Sequence, residues 1–200
     1  MVLRRFEQVC PSGAYKQYNW SKAVRHKVLF ILDALSVERE PFVFRDVDIR
    51  FYSFSPDDLE LEMATRDGVT PDFRCQSDAG GYCAGFMFIR PSPATVKLFQ
   101  MVLDNISLFR DDQDALNQVA LPGMMSDRHR LSGLSDSSEF QASLLPRNKY
   151  WNLETMWDES PSLSGVDIPS GIAIHHGNFT IGIENKLNLL NAVRCRLAGY

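Results

Sequence analysis

Short apolar runs alternate along this chain with stretches that carry apolar residues at helical spacing, and a layered α/β fold buries both kinds of segment. The clearest helical stretch has Val24, Val28, Ile31, Leu32 and Leu35 at i, i+4, i+7, i+8 and i+11. That spacing is one face of a helix, predicted from a Ser21 cap to about Leu35 and broken by Glu40-Pro41. Phe42-Val43-Phe44 begins a buried strand leading on into Asp46-Val47-Asp48-Ile49-Arg50-Phe51-Tyr52. Residues 53–82 are rich in Ser, Asp, Gly and Pro and read as turns with a short strand near Phe73. Ala84 to Ile89 is a second apolar strand, and Ser92-Pro93 starts a helix whose face is Phe99, Val102, Leu103 and Ile106. Asp111 or Asp112 caps a further helix through about Ala120. Residues 121–170 are the least regular part, with Leu144-Leu145-Pro146 and an aromatic group of Tyr150, Trp151 and Trp157 that reads as core before it reads as a stacking platform. Gly171 to Ile174 is a short strand ending in His175-His176, and a last helix from about Thr180 to Leu197 is expected to bury Ile183, Leu187, Leu190 and Val193.

This order predicts an α/β fold with a largely parallel sheet, in which ligands bind at the carboxyl ends of the strands. Asp46 and Asp48, the loop before Ala84, and His176 all fall there. With 200 residues and 44% hydrophobic content the chain suffices for one real core, so a single domain over 1–200 is expected. Its 13 Phe, 6 Tyr and 3 Trp exclude disorder as the main state. A net charge of −4 supplies nothing to drive counterion release, so no nucleic-acid partner is expected. No apolar signal core follows Met1-Val2-Leu3-Arg4-Arg5, and the apolar runs fall far short of the ~20 residues of a membrane span. Cys10, Cys75, Cys83 and Cys195 show no zinc spacing and read as free buried thiols. Together these features predict a cytoplasmic protein.

The most informative stretch is Phe42-Val43-Phe44-Arg45-Asp46-Val47-Asp48. In extended chain the two aspartates project to one face, directly after a buried run. Two adjacent carboxylates resist joint burial unless they share a cation. Hard oxygen ligands of this kind suit Mg²⁺ or Mn²⁺, which commonly bridge carboxylates to substrate phosphates. The alternative is a solvated strand end. An EF-hand is excluded, because Arg50 stands where a third oxygen ligand belongs and no glycine follows. Toward the C-terminus, His176-Gly177-Asn178-Phe179-Thr180 follows a strand and opens a helix. His176 can ligate a metal through neutral imidazole, or be an ordinary hydrogen-bonded histidine. The helix start is suited to an anion, and Lys186 or Lys27 can reach a phosphate as a point charge.

Taken in order, Lys27, Asp46-Val47-Asp48, Cys83-Ala84-Gly85-Phe86-Met87, Asp112-Gln113-Asp114-Ala115-Leu116-Asn117, and His176-Gly177-Asn178-Phe179-Thr180 with Glu184-Asn185-Lys186 resemble the nucleotide-diphospho-sugar transferase family. The resemblance covers about residues 20 to 195 and implies a GT-A type, Rossmann-like mixed but mainly parallel sheet flanked by helices. It implies that Asp46 and Asp48 form an Asp-x-Asp motif holding Mn²⁺ or Mg²⁺ on a donor diphosphate, with His176 as a further ligand. Lys186 would contact the diphosphate, joined in the donor site by Lys27, Arg45 and Val47. Ala84 and Gly85 would line the donor-sugar pocket, where small residues admit a close approach. Asp112 and Gln113 would face the sugar or the acceptor hydroxyl. Relatives carry an opening strand–helix–strand unit for the nucleotide base. Here only Leu3 to Val9 offers a strand, so that unit is expected to be shortened. Relatives also often carry Trp where Phe179 stands.

The expected activity is metal-dependent transfer of a sugar from a UDP- or GDP-sugar to a hydroxyl of a glycan or glycoprotein, with retention preferred over inversion. Two other readings are a non-catalytic binding module, suggested by the short N-terminus, and a Mg²⁺-dependent phosphohydrolase of the aspartyl-phosphate type. Ile49-Arg50 does not match what the latter carries after its second aspartate.

Overall fold

The computed structural model describes residues 19–78, 81–121, 140–153, 163, 165–178, 180 and 182–199. The expected strand at Leu3 to Val9, Cys10, Trp157 and Phe179 lie outside them. Helix α1 (Trp20–Val37) starts one residue before the expected Ser21 cap. Asn19 leads into it with a left-handed backbone, φ 66°, a region asparagine tolerates better than most residues. The helix buries Val24, Val28, Ile31 and Leu35, as its spacing requires, and its end cap, Glu38, is extended. Strands β1 (Phe42–Arg45) and β2 (Ile49–Phe51) follow. The single strand expected through Tyr52 is thus split, because Val47 and Asp48 form a turn.

Helix α2 (Pro56–Glu62) lies where only turns are predicted. Its start is nevertheless written locally. Pro56 occupies the first turn, and the Ser55 amide donates to Asp58 Oδ2 at 2.8 Å. Strands β3 (Phe73–Asp78) and β4 (Gly81–Ile89) come next. Helix α3 (Pro93–Asn105) starts at Ser92, whose Oγ accepts from the Thr95 amide at 3.2 Å. Helix α4 (Asp112–Ala120) is capped by Asp111, whose Oδ1 accepts from the Asp114 amide at 2.9 Å. Short strands β5 (Ala142–Leu144), β6 (Tyr150–Asn152) and β7 (Ile174–His176) precede helix α5 (Ile183–Leu197).

The fold is mixed α/β, as expected, but its pairing is not mainly parallel. One sheet has the order β1-β4-β3-β5 and the other β2-β7-β6. Among the described residues β1–β4, β3–β4 and β2–β7 are antiparallel, whereas β3–β5 and β6–β7 are parallel. For β3 and β4 the reason is connection length. Only residues 79 and 80 separate β3 from β4, and a parallel neighbour needs a crossover of a dozen residues or more.

Two apolar layers flank the four-stranded sheet. On one side Val28 and Ile31 of α1, Phe99 and Val102 of α3, and Leu116 of α4 pack on Phe73, Met87 and Ile89. On the other, Phe86 and Phe88 meet Ile49, Met63, Tyr150 and Ile174. Tyr82 and Ala84 share the helix side with Met87 and Ile89, so the alternation along β4 changes parity between Ala84 and Met87. The pairing shows why. From Cys75–Met87 to Ser77–Tyr82, β3 advances by two residues while β4 advances by five. The surplus bends β4 around Gly85, and bulges of this kind commonly re-aim side chains beside functional sites.

Candidate metal and donor site

The turn after β1 bridges the two sheets. The Asp46 amide donates to the Gly85 carbonyl at 2.8 Å, and the Asp48 carbonyl accepts from the Gly177 amide at 2.9 Å. One aspartate is therefore tied to the bulge of β4 and the other to the end of β7. Ligand atoms of Asp46, Asp48 and His176 lie within 4.8 Å of one another. The pairing arises from a turn anchored at both ends, not from the extended alternation expected. Gly85 makes the convergence sterically possible. A Cβ there would sit 2.1 Å from His176 Cε1 and 2.8 Å from its Nε2, closer than side chains tolerate, and a tight 3.1 Å from Asp46 Oδ2.

Both aspartates are held by lysines from opposite sides. Lys186 of α5 donates to Asp48 Oδ2. Lys27 of α1 reaches Asp46 Oδ1 at 3.0 Å and Asp112 Oδ2 at 2.8 Å. Burial disfavours an ammonium at Lys27, but Asp112 and then Asp46 outweigh it and hold the pKa well above the ordinary range. Burial would likewise raise Asp48, yet His176 and Lys186 bring it well below the carboxylate range. Asp112 is raised, chiefly by burial, with Lys27 opposing. The helix cap that Asp112 could have been is Asp111 instead, which leaves Asp112 turned to Lys27.

The two adjacent histidines take opposite faces of β7, as strand alternation requires. His175 packs on Trp151, ring centroids 4.9 Å apart, and burial, then His176 and Arg50, push it down to about 3, so it is neutral. His176 points to the carboxylates, with Nε2 3.4 Å from Asp48 Oδ1. Its Nδ1 faces Gln76 Oε1 at 3.1 Å and Cys83 Sγ at 3.5 Å. Burial opposes its charged form, but Cys83 and Asp48 outweigh burial and push it up to about 10.

Helix α4 supplies the next layer. Gln113 Oε1 accepts from the Ala84 amide at 3.1 Å, and its Nε2 donates to Asp78 Oδ2 at 2.6 Å. Asn117 accepts from the Tyr82 amide at 2.7 Å and donates to the Tyr82 carbonyl at 2.8 Å. Gln113 and Asn117 thus fasten the first half of β4 to α4. The Ala84 methyl belongs to the helix-side core. Arg45 is exposed and lies over the Phe51 ring at 5.3 Å, to one side of the carboxylates. Val47, at the tip of the turn, is 96% exposed. Tyr150 and Trp151 are core, as their composition suggests. Cys75 and Cys83 are free and buried, but Cys195 is free and exposed, against expectation.

Sequence reasoning singled out the two aspartates, the histidine, Gly85, both lysines and the Asp112-Gln113 pair. It missed Gln76, Cys83 as a contact of His176, and the Lys27 link between Asp46 and Asp112. Within Phe73-Arg74-Cys75-Gln76-Ser77-Asp78, a stretch of mostly polar residues, no local signal marks Gln76.

An α/β framework that gathers two strand-end carboxylates and an imidazole around a missing side chain belongs to the class able to hold a divalent cation. The donor set fits such an ion: two hard carboxylates and one nitrogen converge, with Gly85 giving the room. The chain belongs to the nucleotide-diphospho-sugar transferase family, whose model matches residues 12–190. No curated protein matches the chain in sequence. Among the described residues no helix is long and apolar enough to cross a membrane.

Proposed function

We propose that this chain is a metal-dependent glycosyltransferase that moves a sugar from a UDP- or GDP-sugar to a hydroxyl of a glycan or glycoprotein. The observation that carries the reading is the convergence of Asp46, Asp48 and His176 within 4.8 Å beside Gly85, in a chain of this family. Asp46, Asp48 and His176 would hold Mn²⁺ or Mg²⁺. When bound there, the ion supplies Lewis-acid neutralisation of charge on a leaving diphosphate. The chain's own residues do the rest. Lys186, now on Asp48, is the cation nearest the rim and would turn to the diphosphate. The carboxylates of Asp46, Asp48 and Asp112 are faced by the ammonium groups of Lys27 and Lys186 and by the His176 imidazole. An anionic donor is therefore best received together with its own counter-cation.

Gln113 holds the Ala84 amide and so sets the backbone of the bulge against which the donor sugar would lie. Val47, exposed between the two ligands, would meet the donor from the turn, with Arg45 at its flank. Positioning the acceptor hydroxyl against the anomeric carbon supplies much of the remaining acceleration. Retention is the outcome we expect, since the Asp112 carboxylate is committed to Lys27 at 2.8 Å and is poorly disposed to serve as an inverting base. Asp48→Asn should lower metal-stimulated transfer or hydrolysis of a nucleotide sugar by about 100-fold or more, beyond the usual effect of losing a residue behind a ligand. Its circular dichroism should be unchanged. Full activity of that variant, or of the parent in excess chelator, would contradict the assignment.

A further inference from the structure

Gln76 sits in the middle of β3 with no solvent exposure, next to the fully buried Cys75. A buried amide has two ends, and each needs a partner of the right kind. The Nε2 end of Gln76 donates to the Trp151 carbonyl at 3.0 Å. A backbone carbonyl only accepts, so the amide cannot turn over without placing two acceptors face to face. Its Oε1 is thereby fixed on the other side, 3.1 Å from His176 Nδ1. Oε1 also only accepts, so His176 Nδ1 must carry a proton. Cys83 Sγ, 3.5 Å from the same nitrogen, is a weaker partner that can share that proton without reversing its direction. The remaining ring nitrogen, Nε2, is the one turned toward Asp48. In the neutral ring it holds the lone pair.

We propose that Gln76 is a positioning residue that holds the Nδ1–H of His176 and so presents Nε2 to the Asp46–Asp48 pair, a relay that starts at the Trp151 carbonyl of β6. The proposal rests on the reading of Asp46, Asp48 and His176 as a metal site. It goes beyond that reading in assigning how the third ligand is oriented. The relay is rigid because every group in it is buried and belongs to a strand: Trp151 on β6, Gln76 on β3 and His176 on β7. Partners behind a histidine ligand set its ring orientation and basicity.

The test compares the parent chain with Gln76→Met and Gln76→Glu by two readouts. The first is Mn²⁺ alone, titrated and followed by loss of the free-ion electron paramagnetic resonance signal. The second is ¹⁵N-histidine NMR of the metal-free protein, which reports how strongly the His176 Nδ1 proton is protected from exchange, whatever the state of Nε2. Methionine keeps the volume and removes the acceptor. Glutamate keeps an acceptor facing Nδ1 and, neutral in this buried position, keeps a donor, its carboxyl O–H, for the Trp151 carbonyl. We expect Gln76→Met to weaken Mn²⁺ binding about 10- to 100-fold and to lose the protected Nδ1–H signal, with Gln76→Glu staying within a few-fold of the parent on both. Unchanged affinity and an unchanged Nδ1–H signal in Gln76→Met would overturn the proposal, as would equal losses in both variants, which would indicate packing alone. If the parent took up no Mn²⁺ while its Nδ1–H signal still depended on residue 76, the metal reading would fall and the orienting role of Gln76 would stand.

Discussion

Gly85 shows what one missing methyl does in this protein. Its neighbours Phe86 and Phe88 could exchange for other large apolar residues with modest loss, but a Cβ at 85 meets the His176 ring at 2.1 Å. Gly85→Ala should therefore weaken Mn²⁺ binding at least about 10-fold, since a displaced imidazole is equivalent to a lost ligand support. A metal titration of that variant checks it. Lys27 works through charge instead. Its ammonium compensates two carboxylates at 3.0 and 2.8 Å, and Lys27→Met would leave them facing each other. Breaking such a pair one-sidedly should cost about 3 kcal/mol, measurable by urea unfolding, and Asp112→Asn in the same chain should recover part of it. At this scale the sequence was informative where chemistry is local. Asp46, Asp48 and His176 could be picked out because, although each motif alone has an ordinary explanation, their order and spacing along the chain together resemble the family's. Gln76 could not, since its role lies in partners 75 and 100 positions away.

Caps and spacing made most helices legible: Ser92-Pro93, Asp111 and the stripe of α1 each specify an element by nearest-neighbour chemistry. Helix α2 escaped because its Ser55-Pro56 start sits in a turn-rich composition that masks a seven-residue helix. That helix is fastened across the sequence to the turn before β6, Asp58 accepting from Lys149 at 2.5 Å. Burial would raise the Asp58 carboxyl, but the hydrogen bonds from Lys149 and from the Ser55 amide keep it below its ordinary value. A carboxyl lowered by folding contributes stability above its unfolded pKa near 4, and that contribution fades as the pH falls through and below this value. Lys149→Met should accordingly destabilise the protein at pH 7 and narrow its loss of stability between pH 7 and pH 3, as read by thermal unfolding at both. Helix α5 departs from expectation in a different way. Leu189, Leu190 and Val193 are buried, but Ile183 and Leu187 are 68% and 52% exposed. Its first turns rim the site, where Lys186 meets Asp48, and only its second half lies on the core.

Over the whole molecule, alternation of strand and helix patterns sufficed for an α/β fold but not for strand direction. For β3 and β4 direction follows from connection length, the two residues between them leaving no room for a crossover; the antiparallel pairs β1–β4 and β2–β7 have long connections, and no local pattern announces them. The same geometry explains the site. A turn tied to the β4 bulge on one side and to β7 on the other brings residues 46, 48, 85 and 176 to one point between two sheets. No sequence period encodes such a junction. The consequence for binding is collective: carboxylates and cations are already paired within the site, so a diphosphate entering together with a divalent cation disturbs that balance less than a diphosphate alone. The most direct measurement is a calorimetric titration of UDP, and separately GDP, into the protein with and without Mn²⁺. The proposed function predicts saturable heat for one nucleotide with Mn²⁺ that is lost in chelator and in Asp48→Asn. No metal-dependent heat with either nucleotide, or equal heat in Asp48→Asn, would contradict it.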